Sequence, residues 1–291
     1  MAIQFFINGI IKGCEFTFIA IGLGLIYKTT KILHISHGAI YVTAMYIFYF
    51  FSQHLGIGMP FALILCLVLI TIIGALTEIA IYYPLYRKRA NANTYIIASL
   101  GLYIIIINII SLFFTSETKI ISSFETKTLE FQNIILTNIQ ILEFFAALFC
   151  LVLFFLLINK TKLGKIIKAF SDNVELASAL GINIRQIRIA VFAIGSFLAG
   201  LGACLVALDR GFDPFIGMDA LFISAAAMII GGIYSFVGPF IGAMLIGVLQ
   251  NLVIWQTTAR WESAITFALL IIFLRFKPQG VISIKKRIEE L

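Results

Sequence analysis

The sequence predicts an all-α fold: a polytopic transmembrane helix bundle of eight to ten membrane helices, some of them short enough to be re-entrant. Three observations carry this expectation. Of 291 residues, 61% are hydrophobic and only 12% charged, whereas a soluble domain carries roughly a quarter charged residues. A water-soluble core of this size has no room for that excess. The apolar residues fall into nine runs, several near the ~20 residues that a helix needs to cross a bilayer. Finally, the Lys and Arg residues behind the net charge of +7 sit in short tracts between those runs. Basic tracts of that kind orient membrane helices. A nucleic-acid binder would gather its basic residues on one face of a soluble fold, so nucleic acid is excluded as a partner.

In order, the runs are Ile3–Tyr27, Ala39–Phe51, Pro60–Tyr83, Tyr95–Phe114, Ile139–Ile158, Ile187–Leu208, Ala220–Tyr234, Gly238–Trp255 and Ala264–Phe276. The opening MAIQFFINGI has no basic leader region and no small-residue cleavage site, so the first run reads as a retained helix. Ala39–Phe51, Ala220–Tyr234 and Ala264–Phe276 are short, which fits either tilted spans extended by their flanks or re-entrant half-helices.

Three basic tracts predict one shared, cytoplasmic side. They are Arg87 to Arg89, Lys160 to Arg188, and the C-terminal Lys277, Lys285, Lys286 and Arg287. The loop Thr115–Asn138 balances Lys119 and Lys127 against Glu117, Glu125 and Glu130 and is expected outside. Counting back places Lys28 and Lys31 inside and the N-terminus outside.

No phosphate-binding GxxxxGK[ST] loop, HExxH or GxSxG pattern occurs, so neither ATP hydrolysis by that route nor hydrolase chemistry is expected. No clustered carboxylate pair is visible mid-membrane, as a proton relay requires. The four cysteines lie inside apolar runs with no CxxC pair and read as reduced, buried hydrophobes. His34, His37 and His54 lack metal-ligand spacing, so no metal site is expected. Among the remaining polar residues, Lys12 and Glu15 are spaced to neutralise each other inside a bundle and read either as substrate-facing or gating charges or as residues snorkelling near a helix end. Glu78 reads as interfacial, and Gln250 and Asn251 as interhelical hydrogen-bond partners. Asp209, Arg210, Asp213 and Asp219 read as an external charged cluster, either solvated or facing a soluble partner.

The stretch 159–186 is the longest connection, and long loops in compact proteins tend to be functional. Ser171 or Asp172 can cap a short helix running to Leu180, with Gly181 as a left-handed terminator. Such a helix either docks into a groove of another protein or lies on the lipid surface as a tether. Gly231, Gly232, Gly238 and Gly242 punctuate another apolar stretch, and His37-Gly38 opens the second run. Breaks of this kind allow close helix approach, or they expose backbone groups along a solute pathway.

These segments resemble permease subunits of the branched-chain amino acid class of ABC importers, of the paired-permease type with a His-Gly signature. The resemblance rests on Gly164, Lys165–Ala169, Asp172–Ala179, the Gly181–Asn183 turn and Gly195–Gly200. It continues through Ile35-Ser36-His37-Gly38, the AAAMIIGGIYSFVGPFIG segment and the ending Lys277-Pro278-Gln279-Gly280, in family order over nearly the whole chain. The chain departs from the family at Tyr234, at Val237-Gly238-Pro239 and at Asp219.

The resemblance implies one transmembrane permease domain, residues 1–291, containing a cytoplasmic coupling loop at 159–186. It implies transport of branched-chain amino acids or a related small polar solute across the cell inner membrane, with no catalysis by this chain. No cofactor is bound here, and ATP is used by partner subunits. The implied partners are two ABC ATPase subunits, a related second permease subunit and an extracytoplasmic solute-binding protein. Coupling would fall to Asp172, Asn173, Val174, Glu175, Leu176, Ala177, Leu180 and Gly181. His37, Gly38, Gly231, Gly232, Gly238 and Gly242 would line the translocation pathway or pack helices closely. The rival class is an autonomous secondary transporter or channel, which needs no ATPase.

Overall fold

A computed structural model describes residues 2–122, 127–131 and 134–282. Glu125 and the C-terminal Lys285, Lys286 and Arg287, used above for orientation, lie outside the described residues. The described residues are helical almost throughout, and six helices among them are long and apolar enough to cross a membrane by length and composition.

Helix α1 (Ala2–Thr30) is the central post, buried from Gly9 almost to its end. Its small residues explain why. A methyl group added at Gly9 would lie 2.7 Å from Val248 Cα, and one at Gly13 2.9 Å from Met244 Cα. Only glycine lets the helix carrying Val248 approach so closely, which is how membrane helices gain packing without a hydrophobic drive.

Helix α2 (His37–Tyr49) continues through a π-helical stretch, Phe50–His54. The rod Met59–Arg87 comprises α3 (Met59–Thr77), a π-helical turn at Glu78–Tyr82 and α4 (Tyr83–Arg87). Asn91 caps α5 (Ala92–Phe114) by accepting from the Thr94 amide at 2.9 Å. A small antiparallel hairpin follows, β1 (Thr128–Phe131) and β2 (Ile134–Thr137). Thr137 and Gln140 form a reciprocal capping box that starts α6 (Asn138–Lys160). Then come α7 (Lys162–Asp172), α8 (Val174–Ala179), α9 (Ile184–Asp209), α10 (Ile216–Gly231), α11 (Gly238–Gln256) and α12 (Glu262–Phe276).

Burial sorts these helices into layers. In α1 and α9 most of the apolar window is buried, 83% and 67%, but only 22% is in Met59–Arg87, α5 and α6. The first two form the interior, and the other three present Phe, Leu and Ile to lipid. Helices α2, α10 and α12 are shorter, as the sequence suggested: α10 has 16 residues, ending where Gly232 adopts φ +115°.

The ends of α1 settle which segments share a side. The Gln4 side chain donates to Ile135 O and accepts from Ile135 N, both at 2.8 Å, which holds the start of α1 against the hairpin. At the other end Lys28 shares a cavity with Lys168 and Asp172. The hairpin and the basic 160–188 stretch therefore lie at opposite ends of the bundle, as the charge pattern requires.

Candidate functional site

Three places concentrate polar groups. At the end bearing the basic stretch, α7 is strongly amphipathic: Gly164, Ile167 and Phe170 are buried while Lys162 and Lys165 face out. The signal for this helix is the three-residue spacing of Gly164, Ile167 and Phe170, which the surrounding lysines obscure. The cap of α8 is Asn173, whose side chain accepts from the Leu176 amide at 2.9 Å. Neither Ser171 nor Asp172 plays that part, because both belong to the last turn of α7, where the Ser171 hydroxyl bonds Lys168 O. Gly181 terminates the helix as expected, at φ +83°, with its amide on Ser178 O and the Ile182 amide on Ala177 O. Asn183 then caps α9 through the Gln186 amide.

On α8, Ala177 is packed inward at 2% exposure, and Val174 is half-buried. Leu176 and Leu180 project outward at 58% and 72%, beside exposed Asp172, Asn173, Glu175 and Gly181. Two uncovered leucines on a rigid, doubly capped turn form a knob that an apolar groove can grip.

The glycine positions are close-packing points. Gly38 abuts the Gly217 backbone, Gly231 and Gly238 abut each other, and Gly242 abuts the Ala227 backbone. His37 is buried, its ring 5.4 Å from that of His34. His34 itself joins a polar knot with Tyr82, Ser36 and Ser99. The His37-Gly38 and Gly231-Gly232 breaks are not adjacent. Their contacts lie at opposite ends of α10, about 21 Å apart at 1.5 Å per residue between Gly217 and Gly231. Nor are the carbonyls freed at the Gly232 break open to solute. The amides of Val281 and Ile282 donate to Ile230 O and Gly231 O at 2.8 and 3.0 Å.

The largest concentration of charge lies toward the hairpin end. A cavity of about 250 Å³ is lined by Lys12, Glu15, Tyr41, Arg210, Asp219 and Glu262, with apolar walls from Phe16, Ile19 and Ile223. Lys12 and Glu15 do not neutralise each other. Lys12 pairs with Glu262 at 2.7 Å and Glu15 with Arg210 at 3.0 Å, so helices α1, α12 and the end of α9 are linked through the cavity wall. The expected external cluster also divides. Arg210 reaches Glu15 while its side chain stays exposed, Asp219 lines the cavity, and Asp213 caps a turn by accepting from the Phe215 amide at 2.7 Å. Toward the outer helix ends, away from mid-membrane, carboxylates do cluster: oxygens of Glu15, Glu143 and Asp209 lie within 4.8 Å of one another. They come from three helices, so no local spacing could have revealed them.

Glu78 is not interfacial. It is fully buried and holds Arg188 in a two-pronged ion pair, with Arg188 also 4.6 Å from the Tyr86 ring centroid. Gln250 reaches α12 through Thr266 at 2.6 Å, as expected, while Asn251 bonds Gly247 O of its own helix. The thiols of Cys66 and Cys204 are free, buried and 3.6 Å apart.

Comparison with known proteins adds the following. The sequence profile of the family described as "Branched-chain amino acid transport system / permease component" matches residues 5–274. The high-affinity branched-chain amino acid transport system permease protein BraD of Pseudomonas aeruginosa is 27% identical over 96% of this chain and 95% of its own length. LivH of Escherichia coli, with the same description, is 25% identical over 96% and 95%. The probable permease LivH of Methanocaldococcus jannaschii is 26% identical over 90% and 87%. Among solved structures, PsaBC from Streptococcus pneumoniae in complex with Fab has a chain that superposes with a TM-score of 0.52 at 14% identity, covering 94% of this chain and 91% of that one. At that identity the likeness concerns the fold.

Proposed function

The chain belongs to the branched-chain amino acid transport permease family, and from that premise we propose that it is the multi-pass membrane subunit of an ATP-driven importer. It transports and does not catalyse a chemical reaction. Its solute is a branched-chain amino acid or a related small polar molecule, and its location is the cell inner membrane. Power comes from two ATPase subunits, because this sequence has no phosphate-binding loop of its own. A related second permease subunit completes the pathway, and an extracytoplasmic binding protein delivers the solute. Besides the six long helices, α2, α10 and α12 count as membrane elements in this reading, giving nine among the described residues.

One observation carries the proposal: the capped turn Val174–Ala179, with Leu176 and Leu180 uncovered, stands between α7 and the interior helix α9. A push on that knob passes into α9, whose Gly195 lies against α1 at Gly22 and Ile26. Nucleotide-driven closure of an ATPase dimer is thereby converted into a rearrangement of α1 and α9. A cysteine placed at Leu180 should cross-link to an ATPase subunit of the assembled complex, and more strongly in one nucleotide state than in the other. Absence of that cross-link in every nucleotide state would remove the docking claim.

The autonomous-transporter reading draws on a different observation, the carboxylates Glu15, Glu143 and Asp209 inside the bundle. It requires uptake by this chain alone, driven by an ion gradient.

A further inference from the structure

Glu143 sits five residues into α6 with none of its surface exposed. Among the described residues no hydrogen-bond donor reaches either of its carboxylate oxygens. A buried carboxylate without a partner is expensive, and within a membrane bundle it marks a functional group. Its neighbours add negative charge: Glu15 from α1 and Asp209 from the end of α9 complete a triangle of oxygens with no edge above 4.8 Å. The nearby cations do not balance this. Lys12 is engaged by Glu262, and Arg210 sits on Glu15. Three carboxylates against one guanidinium leave two negative charges, in a niche directly behind the cavity wall that Glu15 and Arg210 form.

The spacing points to what would neutralise them. A point at the centre of such a triangle lies no more than about 2.8 Å from each oxygen, close to the 2.3–2.6 Å at which calcium takes carboxylate ligands in flexible geometries. All three donors are hard oxygens, which suit Ca²⁺ or Mg²⁺ and disfavour thiophilic metals. We propose that Glu143, Glu15 and Asp209 form a binding site for a hard divalent cation of calcium size. The bound ion clips the outer end of the lipid-facing helix α6 to the interior helices α1 and α9. This site goes beyond the permease reading and does not depend on which solute is carried.

The test uses the full-length purified chain in detergent, stripped with chelator and titrated with calcium chloride, magnesium chloride or methylammonium chloride at matched ionic strength. Thermal unfolding and calorimetry are the readouts, neither of which involves transport. Calcium should raise the melting temperature saturably with one site per chain. Glu143→Gln, which keeps the shape and removes the charge, should weaken calcium binding on the order of tenfold or more. Asp209→Asn should do the same and serves if Glu143→Gln fails to fold. The assignment is overturned if calcium leaves the wild-type melting temperature unchanged, or if wild type and both variants respond alike. A saturable response to methylammonium with none to calcium would also overturn it, assigning the niche to a solute ammonium group instead.

Discussion

Replacing Arg188 by Met should be among the most damaging single changes in the protein. The Glu78 side chain has no exposed surface and Arg188 only 2%, and the guanidinium holds both carboxylate oxygens, the second at 3.2 Å. Removing one partner of a buried pair leaves an uncompensated charge, at a cost of about 3–5 kcal/mol. Loss of the stacking on Tyr86 adds on the order of 1 kcal/mol. Replacing both partners by apolar residues of similar volume removes the stranded charge, and such exchanges are often neutral. The Glu78→Met, Arg188→Met double variant should therefore recover most of what Arg188→Met loses. Denaturant titration in detergent micelles, followed by tryptophan fluorescence, measures all three proteins. The reasoning is refuted if Arg188→Met costs under about 1 kcal/mol, the range of an exposed pair. It is equally refuted if the double variant is no more stable than Arg188→Met.

The other predictions concern packing and coupling. Leu176→Asp with Leu180→Asp should abolish ATP-driven uptake while leaving the melting temperature within a degree or two, because both leucines are uncovered; retained uptake would remove α8 from the coupling path. Gly242→Leu should prevent folding, since the added side chain meets the Ala227 backbone, whereas Gly101→Ala, with nothing within 4 Å of the added carbon, should be silent in a thermal melt. Asn173→Ala and Asn183→Ala each remove a cap and should cost about 1 kcal/mol, measured by denaturation; a zero effect would show that tertiary contacts already fix those turns.

The membrane character, the order of the helices and the end of α8 were legible because each is written locally. Apolar runs mark the helices, Lys and Arg mark the sides, and Gly181 supplies the left-handed residue that a helix terminator needs. The cap went to Asn173 because α7 runs on to Asp172, a helix hidden behind four basic residues from Lys160 to Lys168. A paired Glu175→Arg, Ala177→Asp change is what the sequence would suggest for uncoupling, but Ala177 faces the interior, so that variant would confound coupling with misfolding. Arg188 with Glu78, Lys12 with Glu262, and Glu143 with Glu15 and Asp209 all join residues more than sixty positions apart. No periodicity within one helix encodes such pairings, so the charged cavity and the carboxylate niche emerged only from the folded chain.

The central claim is that force reaches this bundle from outside it. Proteoliposomes containing the permease subunits and the solute-binding protein, assayed with and without the ATPase subunits and internal ATP, test this most directly. Solute should accumulate only when both ATPase and ATP are present, and Leu176→Asp with Leu180→Asp should reduce that accumulation to the ATP-free level. Accumulation by this chain alone, driven by a sodium or proton gradient and indifferent to ATP, would contradict the account.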